Sequence, residues 1–430
     1  MIVGLVNILG FQWLRSSLIR FYNEKEDNPH LIDTIFKSHL IMFLLLIPLL
    51  TIIGFILNLN NINPNYLIII YIMIIVLSLY ELGIIYYRAK LQPQVIMKNN
   101  VFKTLLFVII STLLLYFGLG TWALLIGNVL SIVIGITLYL KGLNFKKIRF
   151  KIESKTLKKM MIYGLPITLS FALSAALANI DKIMISMILG VEENGNYAVS
   201  SDLVKNSLNM VLVSFSLAGF PLVLKKISSE GGMKGKKEFK KYGELFFLIA
   251  LPSTLGLVAV GPDLINIIIG EEFSISNHLL TLIIIATFIN GVKSQYYDLG
   301  LQISAKTKYF FYPALVAIIV NVILNYYFLK TYGIEGAALS TVIAFLVALI
   351  ISGIYSQKNY KVKLSYLTLL KIVVTTTIMY IVINQINYDI ESVNLILKIT
   401  IGIFVYVLFT IIFNTLKIRT NILEKLRSKK

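Results

Sequence analysis

Apolar runs of about 20 residues, separated by short polar joints, recur along the chain. A helix of that length rises about 30 Å, the thickness of a bilayer's hydrocarbon core. The pattern predicts an all-α polytopic membrane protein with about 13 spanning segments. They run from 1–19 to 395–416, and residues 183–190 prolong the sixth beyond one bilayer thickness. The joints alternate in character. One set holds nearly all of the 40 Lys and Arg, in clusters such as 141–159, 225–241, 358–363 and 417–430. The other set, including 58–65, 118–121, 261–277 and 384–394, is almost free of them. By the positive-inside rule the basic set faces the cytoplasm, and the C-terminus with it. Thirteen crossings then put Met1 outside with no polar lead-in, which predicts that one N-terminal helix precedes this sequence.

Composition agrees with that solvent. The chain has 430 residues, 57% of them hydrophobic and 14% charged, with mean hydropathy +0.82. Soluble proteins carry about 25% charged residues. A net charge of +19 would point to nucleic acid in a soluble protein. Here it is broken into joint-sized clusters beside anionic headgroups, so no nucleic-acid partner is expected. There is no cysteine, and His30, His39 and His278 lie far apart, so no metal site is expected.

Three short anchors repeat in order. Gly10-Phe11 and Gly219-Phe220 each precede a basic cluster. Glu81-Leu82-Gly83 corresponds to Asp298-Leu299-Gly300, and Gly118 with Ala123-Leu124 corresponds to Gly333 with Ala338-Leu339. Repeats in one membrane orientation need an even number of helices, which fits two six-helix bundles. The expected organisation is an N-terminal bundle over 1–150, a second over 151–357, and two additional helices with a basic tail over 358–430.

Gly164-Leu165-Pro166 opens a helix after a basic joint. Asp181-Lys182, Leu189-Gly190 and Gly195-Asn196-Tyr197 follow, then Asn321 to Asn325 and the stretch Tyr332-Gly333-Ile334-Glu335-Gly336-Ala337-Ala338-Leu339-Ser340-Thr341. This order resembles the polysaccharide biosynthesis flippases, the Wzx-like repeat-unit transporters of the multidrug/oligosaccharidyl-lipid/polysaccharide exporter superfamily. The resemblance covers essentially the whole chain and departs from the family's usual 14 helices at the first. It implies a transporter rather than an enzyme, working in the inner (plasma) membrane. The implied cargo is an undecaprenyl-pyrophosphate-linked oligosaccharide destined for capsule, O-antigen or lipopolysaccharide. A polysaccharide polymerase and export machinery would be its partners. No cofactor is implied beyond a proton or sodium gradient. In plain physical terms, Pro166 and the small Gly164, Gly333 and Gly336 are hinge and packing residues.

No catalytic constellation stands out. Glu192-Glu193 and Glu271-Glu272 lie in joints, and Gly231-Gly232-Met233-Lys234-Gly235 reads as a flexible connector rather than a phosphate loop. Charges inside apolar segments carry more information, because lipid makes them costly. Arg15 either snorkels or lines a cavity. Glu81 and Arg88 share a helical face. Lys293 lies deep in its segment with Gln295 and Asp298 beside it. The pyrophosphate reading assigns Arg15, Arg88, Lys293 and Gln295 to the substrate cavity. Glu81, Asp298 and Asp181 are assigned to ion coupling or to holding those cations. Tyr86-Tyr87, Tyr296-Tyr297 and Tyr326-Tyr327 are expected in interfacial aromatic belts. The competing readings are a multidrug exporter or lipid-precursor flippase of the same superfamily, and a membrane polymerase or glycosyltransferase. The short outer joints argue against the last two enzymes.

Overall fold

The computed structural model describes residues 2–22, 30–58, 65–90, 92–140, 152–177, 179–230, 232–268, 276–304 and 306–420. The joint 59–64, the basic stretch 141–151, Glu271-Glu272 and the tail 421–430 lie outside the described residues. The elements are helices throughout the described residues, with no strand. The chain forms two compact units, Met1–Ala175 and Ala176–Lys430.

The first unit contains α1 (Ile2–Phe21), α2 (Leu31–Asn58), α3 (Asn65–Ala89), α4 (Pro93–Tyr116), α5 (Thr121–Leu140) and most of α6 (Ser154–Leu177). α4 and α5 form a hairpin through Gly118 and Gly120, at φ +81° and +53°. Glycine reaches that left-handed region without steric cost. α1 packs on α2 and α3 through Phe11, Leu14, Leu18 and Ile74, all buried. Ser17 Oγ donates to the Met160 carbonyl at 3.1 Å and ties α1 to α6.

The second unit contains α7 (Ile180–Ile188), α8 (Val191–Glu230), α9 (Gly232–Ile268), α10 (Asn277–Val292), α11 (Asp298–Ile303), α12 (Phe311–Asn359), α13 (Tyr366–Asn384) and α14 (Glu391–Ile412). α8 and α9 have 40 and 37 residues, so each overruns the bilayer. The expected flexible connector at 231–235 is therefore corrected in part. Gly235 lies within α9, and a Cβ there would come 2.5 Å from Ile227 Cγ1. Only a residue without a side chain lets the two helices pass so closely.

α12 has 49 residues, but Gly333 at φ 59°, ψ −143° breaks it. Asn321 Nδ2 reaches Thr341 Oγ1 at 3.1 Å across that break. Twenty residues of straight helix would separate those atoms by about 30 Å, so the two halves run back along one another. Among the described residues, eleven helical stretches are long and apolar enough to cross a membrane. Counting α12 as two crossings, and α1 with its Arg15 and Arg20 as one, gives the 13 segments read from the sequence.

Apolar side chains on the helix exteriors are widely exposed, including Leu44, Leu113, Leu222, Ile350 and Phe404. Monomeric soluble proteins rarely expose continuous apolar surface of this kind, whereas lipid accepts it. The tyrosine expectation is corrected in part. Tyr326 and Tyr327 are exposed, but Tyr87 and Tyr296 are core residues. Tyr87 packs on Tyr139, and Tyr296 stacks on Phe239 with centroids 5.2 Å apart.

Candidate functional site

The charged residues inside the helices gather into a few buried clusters. In the first unit Arg15 is only 5% exposed. It forms an ion pair with Glu81 of α3, and its Nη2 donates to the Asn7 carbonyl at 3.1 Å. Its Nε is buried and has no acceptor among the described residues. Beside it His39 Nε2 lies 3.2 Å from Ser78 Oγ, and the imidazole rests on Phe11 with centroids 4.4 Å apart. Arg88 does not join this cluster. It is exposed at the end of α3 and has no carboxylate partner among the described residues. Glu81 thus reaches across to α1 rather than along its own helix.

In the second unit Lys293 and Asp298 pair at 2.8 Å, with Lys293 7% exposed. Residues five apart do not face each other on an α-helix. A π-helical turn over Lys293–Tyr297 changes that. Its wider repeat stacks residue i+5 over residue i, and Asp298 N–H donates to the Lys293 carbonyl. The turn is held from α9. Tyr242 Oη donates to the Gln295 carbonyl at 2.9 Å, and Gly243 admits the Tyr296 ring, which a Cβ would meet at 2.5 Å. Gln295 itself contributes that carbonyl, while its side chain is half-buried.

A second buried carboxylate lies on α7. Asp181 is fully buried. Tyr197 Oη donates to its Oδ2 at 2.5 Å, and Lys205 Nζ lies 3.6 Å from the same oxygen. Neither Asp181 Oδ1 nor Lys205 Nζ has a hydrogen-bond partner among the described residues. Tyr197→Phe should therefore destabilise the protein by about 1–3 kcal/mol, because the Asp181 carboxylate loses its one short donor in a dry site. Thermal unfolding in detergent measures it, and an unshifted midpoint would show that Lys205 alone satisfies the carboxylate.

Two groups escaped the sequence reading. Lys398 of α14 pairs with Asp263 of α9 at 2.7 Å, and Asn394 donates to the same oxygen at 3.3 Å. Lys398 also lines a groove of about 460 Å³, whose walls are mainly apolar side chains of α8, α9, α13 and α14. A lysine within an otherwise apolar helix was the available signal. Glu335, within the Tyr332–Thr341 stretch, accepts from Ser276 Oγ at 2.5 Å and approaches His278 Nδ1 at 2.9 Å. Ser276 in turn caps α10 by accepting from Leu279 N–H at 3.1 Å. That glutamate anchors the start of α10 next to the Gly333 break.

The small residues take positions that need them. A Cβ on Gly164 would come 2.6 Å from the Trp13 carbonyl oxygen. One on Gly336 would run into the Phe328 backbone across the α12 break. Pro166 lies inside α6, where Ser170 Oγ donates to its carbonyl at 2.9 Å. The repeated anchors also correspond in detail. Glu81 and Asp298 each pair with a buried cation, and two residues later Gly83 and Gly300 admit Tyr139 and Ser356.

Buried ion pairs inside long apolar helices, in a chain of broken and overlong spans, are the marks of a multi-pass membrane transporter fold. The family described as polysaccharide biosynthesis protein matches residues 1–278. The chain belongs to that family, as the motifs from Gly164 to Tyr197 had indicated. It is 26% identical over 210 residues to the "Putative O-antigen transporter" of Shigella flexneri, covering 47% of this chain and 48% of that protein. The chain spans less than half the length of each of the curated relatives it matches. Among solved structures it resembles the lipid II flippase MurJ in an inward closed conformation. There the TM-score is 0.75 with 19% identity, covering 96% of this chain and 90% of that one. It also resembles the outward-facing conformation of a multidrug resistance MATE family transporter of the MOP superfamily. That TM-score is 0.63 with 16% identity, covering 83% of this chain and 85% of that one. At these identities both likenesses concern the fold.

Proposed function

We propose that this protein flips a lipid-pyrophosphate-linked oligosaccharide repeat unit from the cytoplasmic to the outer leaflet by alternating access, for export of a surface polysaccharide. The observation that carries the reading is Arg15: a guanidinium buried in a membrane helix, paired to Glu81 and Asn7, with its Nε left without an acceptor among the described residues. Guanidinium donors match phosphate oxygens in a way no drug cation could use. Lys293 offers a second buried cation, and Arg88 an exposed one at the end of α3. Each buried cation rests on its own carboxylate, Glu81 or Asp298. A pyrophosphate displaces that carboxylate, and the carboxylate's return, or its protonation from an ion gradient, helps to expel the cargo. Asp181 with Lys205 is a further candidate for such coupling.

The lipid tail need not enter the protein. The apolar groove along α13 and α14 gives it a track, with Lys398 in its lining. The family supports a polysaccharide cargo over a drug, and buried cations repel the cationic compounds that a multidrug exporter takes. The chain then lies in the plasma membrane, with its basic joints and C-terminus in the cytoplasm.

Complementation tests this. The chain is expressed in a bacterium lacking its own repeat-unit flippase, and surface polysaccharide is scored. Restored polymer, lost on Lys293→Gln or Arg88→Ala at unchanged protein level, is the expected result. Failure with several sugar types, together with gained drug resistance, would transfer the protein to the multidrug reading.

A further inference from the structure

Two adjoining concavities, of about 530 and 350 Å³, open where α8 ends, α9 begins and α13 starts, and they share Lys240 and Glu244. Lysines from four separate elements converge on them. Lys226 comes from α8, and Lys234, Lys237, Lys240 and Lys241 come from the first turns of α9. Lys371 of α13 and Lys417, from the turn after α14, line the smaller cavity. An ordinary charged joint is a solvated run on one segment. This one is a concave surface assembled from residues as far apart in sequence as Lys226 and Lys417.

Its charge is not neutralised from within. The two carboxylates that line it are already engaged. Glu238 pairs with Lys226 at 3.1 Å. Glu244 is buried, accepts from the Ser365 backbone N–H at 3.0 Å and lies 3.8 Å from Lys240. Glu244 thereby fixes the start of α13 against α9 and forms the floor of the site. Lys237, Lys241 and Lys417 form no ion pair among the described residues. The Lys371 ammonium donates to the Phe413 carbonyl at 2.8 Å.

The turn carrying Lys417 is held in an unfavourable conformation. Asn414, Leu416 and Lys417 have φ of 48°, 54° and 60°. The left-handed region costs an L-residue with a bulky side chain about 1–2 kcal/mol. Asn414 is fastened by Nδ2 to Thr420 Oγ1 at 2.8 Å and accepts from Thr420 N–H at 3.3 Å. The result keeps Leu416 and Lys417 on the cavity wall. Strain of this kind persists where the surroundings enforce it, and it collects at ligand sites.

The rim is apolar on one side. Tyr366, Leu367 and Leu370, on the first turns of α13, are 83%, 65% and 60% exposed, and Leu367 also lines the smaller cavity. A ligand that suits both halves carries a phosphate for the lysines and a hydrocarbon chain for α13. We infer that this basic crevice binds the phosphate headgroup of an anionic membrane phospholipid, whose acyl chain lies along α13. The inference is independent of which cargo the protein moves. It uses none of the residues assigned to that cargo.

The test uses the purified full chain in nanodiscs of phosphatidylcholine, alone or mixed with phosphatidylglycerol. Lysine acylation is read by mass spectrometry. Phosphatidylglycerol should slow acylation of Lys237, Lys240 and Lys417 about fivefold. Lys330, exposed at the middle of α12, should change much less. Equal slowing at Lys330 would mean general surface attraction and overturn the site. Inorganic pyrophosphate in phosphatidylcholine discs, if it protected the same lysines equally well, would make the ligand a soluble phosphate and overturn the lipid assignment. The variant K237Q/K240Q/K417Q should lose the thermal stabilisation that phosphatidylglycerol gives the wild type, and the matching arginine variant should keep it. An undiminished gain in the glutamine variant would overturn the proposal. If that variant does not fold, the wild-type footprint decides alone.

Discussion

Glu81→Ala should destabilise the first unit by about 3 kcal/mol, more than any other single charge removal in α1 to α5. Arg15 is buried on α1, the helix that carries Phe11, Leu14 and Leu18, and Glu81 is the only carboxylate that pairs with it among the described residues. Removing the carboxylate leaves a buried guanidinium with the Asn7 carbonyl as its remaining acceptor among the described residues. The figure is at the lower end for a broken buried pair because Glu81 is about a third exposed, so water reaches the site. Removing both charges should cost far less than removing one. Arg15→Met/Glu81→Met should therefore recover most of the lost stability in detergent unfolding. Export separates structure from function. The double variant should accumulate normally and still fail to export polymer, because the phosphate ligand is gone. Equal stability of Glu81→Ala and wild type would show that the pair contributes nothing. Normal export by the double variant would remove Arg15 from the substrate site.

The cost of that pair could not be read from the sequence, because its partners are 66 positions apart on different helices. The fold was far more legible. Lipid demands about 20 apolar residues per crossing, and the joints between crossings carry alternating charge, so helix number and order are written locally. The same local reading failed wherever geometry departs from a regular helix. Lys293 and Asp298 were recognised as deep charges, but five-residue spacing on an α-helix would have kept them apart. Only the π-helical turn brings them together. Glu81 and Arg88 share a face by spacing, yet Glu81 turns to α1. Asp263 and Lys398 went unnoticed because each is an ordinary isolated charge until α9 and α14 pack. Gly118 and Gly333, by contrast, were visible as corresponding anchors of the repeat, and both adopt positive φ where two helices fold back on each other.

Those glycines differ in what they need, and substitution should sort them. Gly164→Val is expected to abolish accumulation of the folded protein, because its Cβ would lie 2.6 Å from the Trp13 carbonyl oxygen and 2.9 Å from Trp13 Cα. Backbone atoms cannot rotate aside as a side-chain tip does, so α6 must separate from α1. That separation breaks the Ser17 to Met160 hydrogen bond and opens the Phe21–Tyr163 edge contact. Overpacking of this kind costs about 1–3 kcal/mol even where side chains can yield, and here they cannot. Gly336→Val should behave in the same way, since its Cβ would meet the Phe328 backbone and force the halves of α12 apart. That opening would pull Asn321 from Thr341. Gly4→Ala and Gly195→Ala are the controls, each with nothing within 4 Å of the added carbon and an ordinary helical backbone. They should match or slightly exceed wild-type stability, because alanine favours helix by up to about 1 kcal/mol over glycine. Folded protein is read as monodisperse material in detergent and by its unfolding midpoint. If Gly164→Val and Gly4→Ala gave the same yield, α1 and α6 would not be in backbone contact, and the small residues of the family stretches would owe their place to something other than close helix approach.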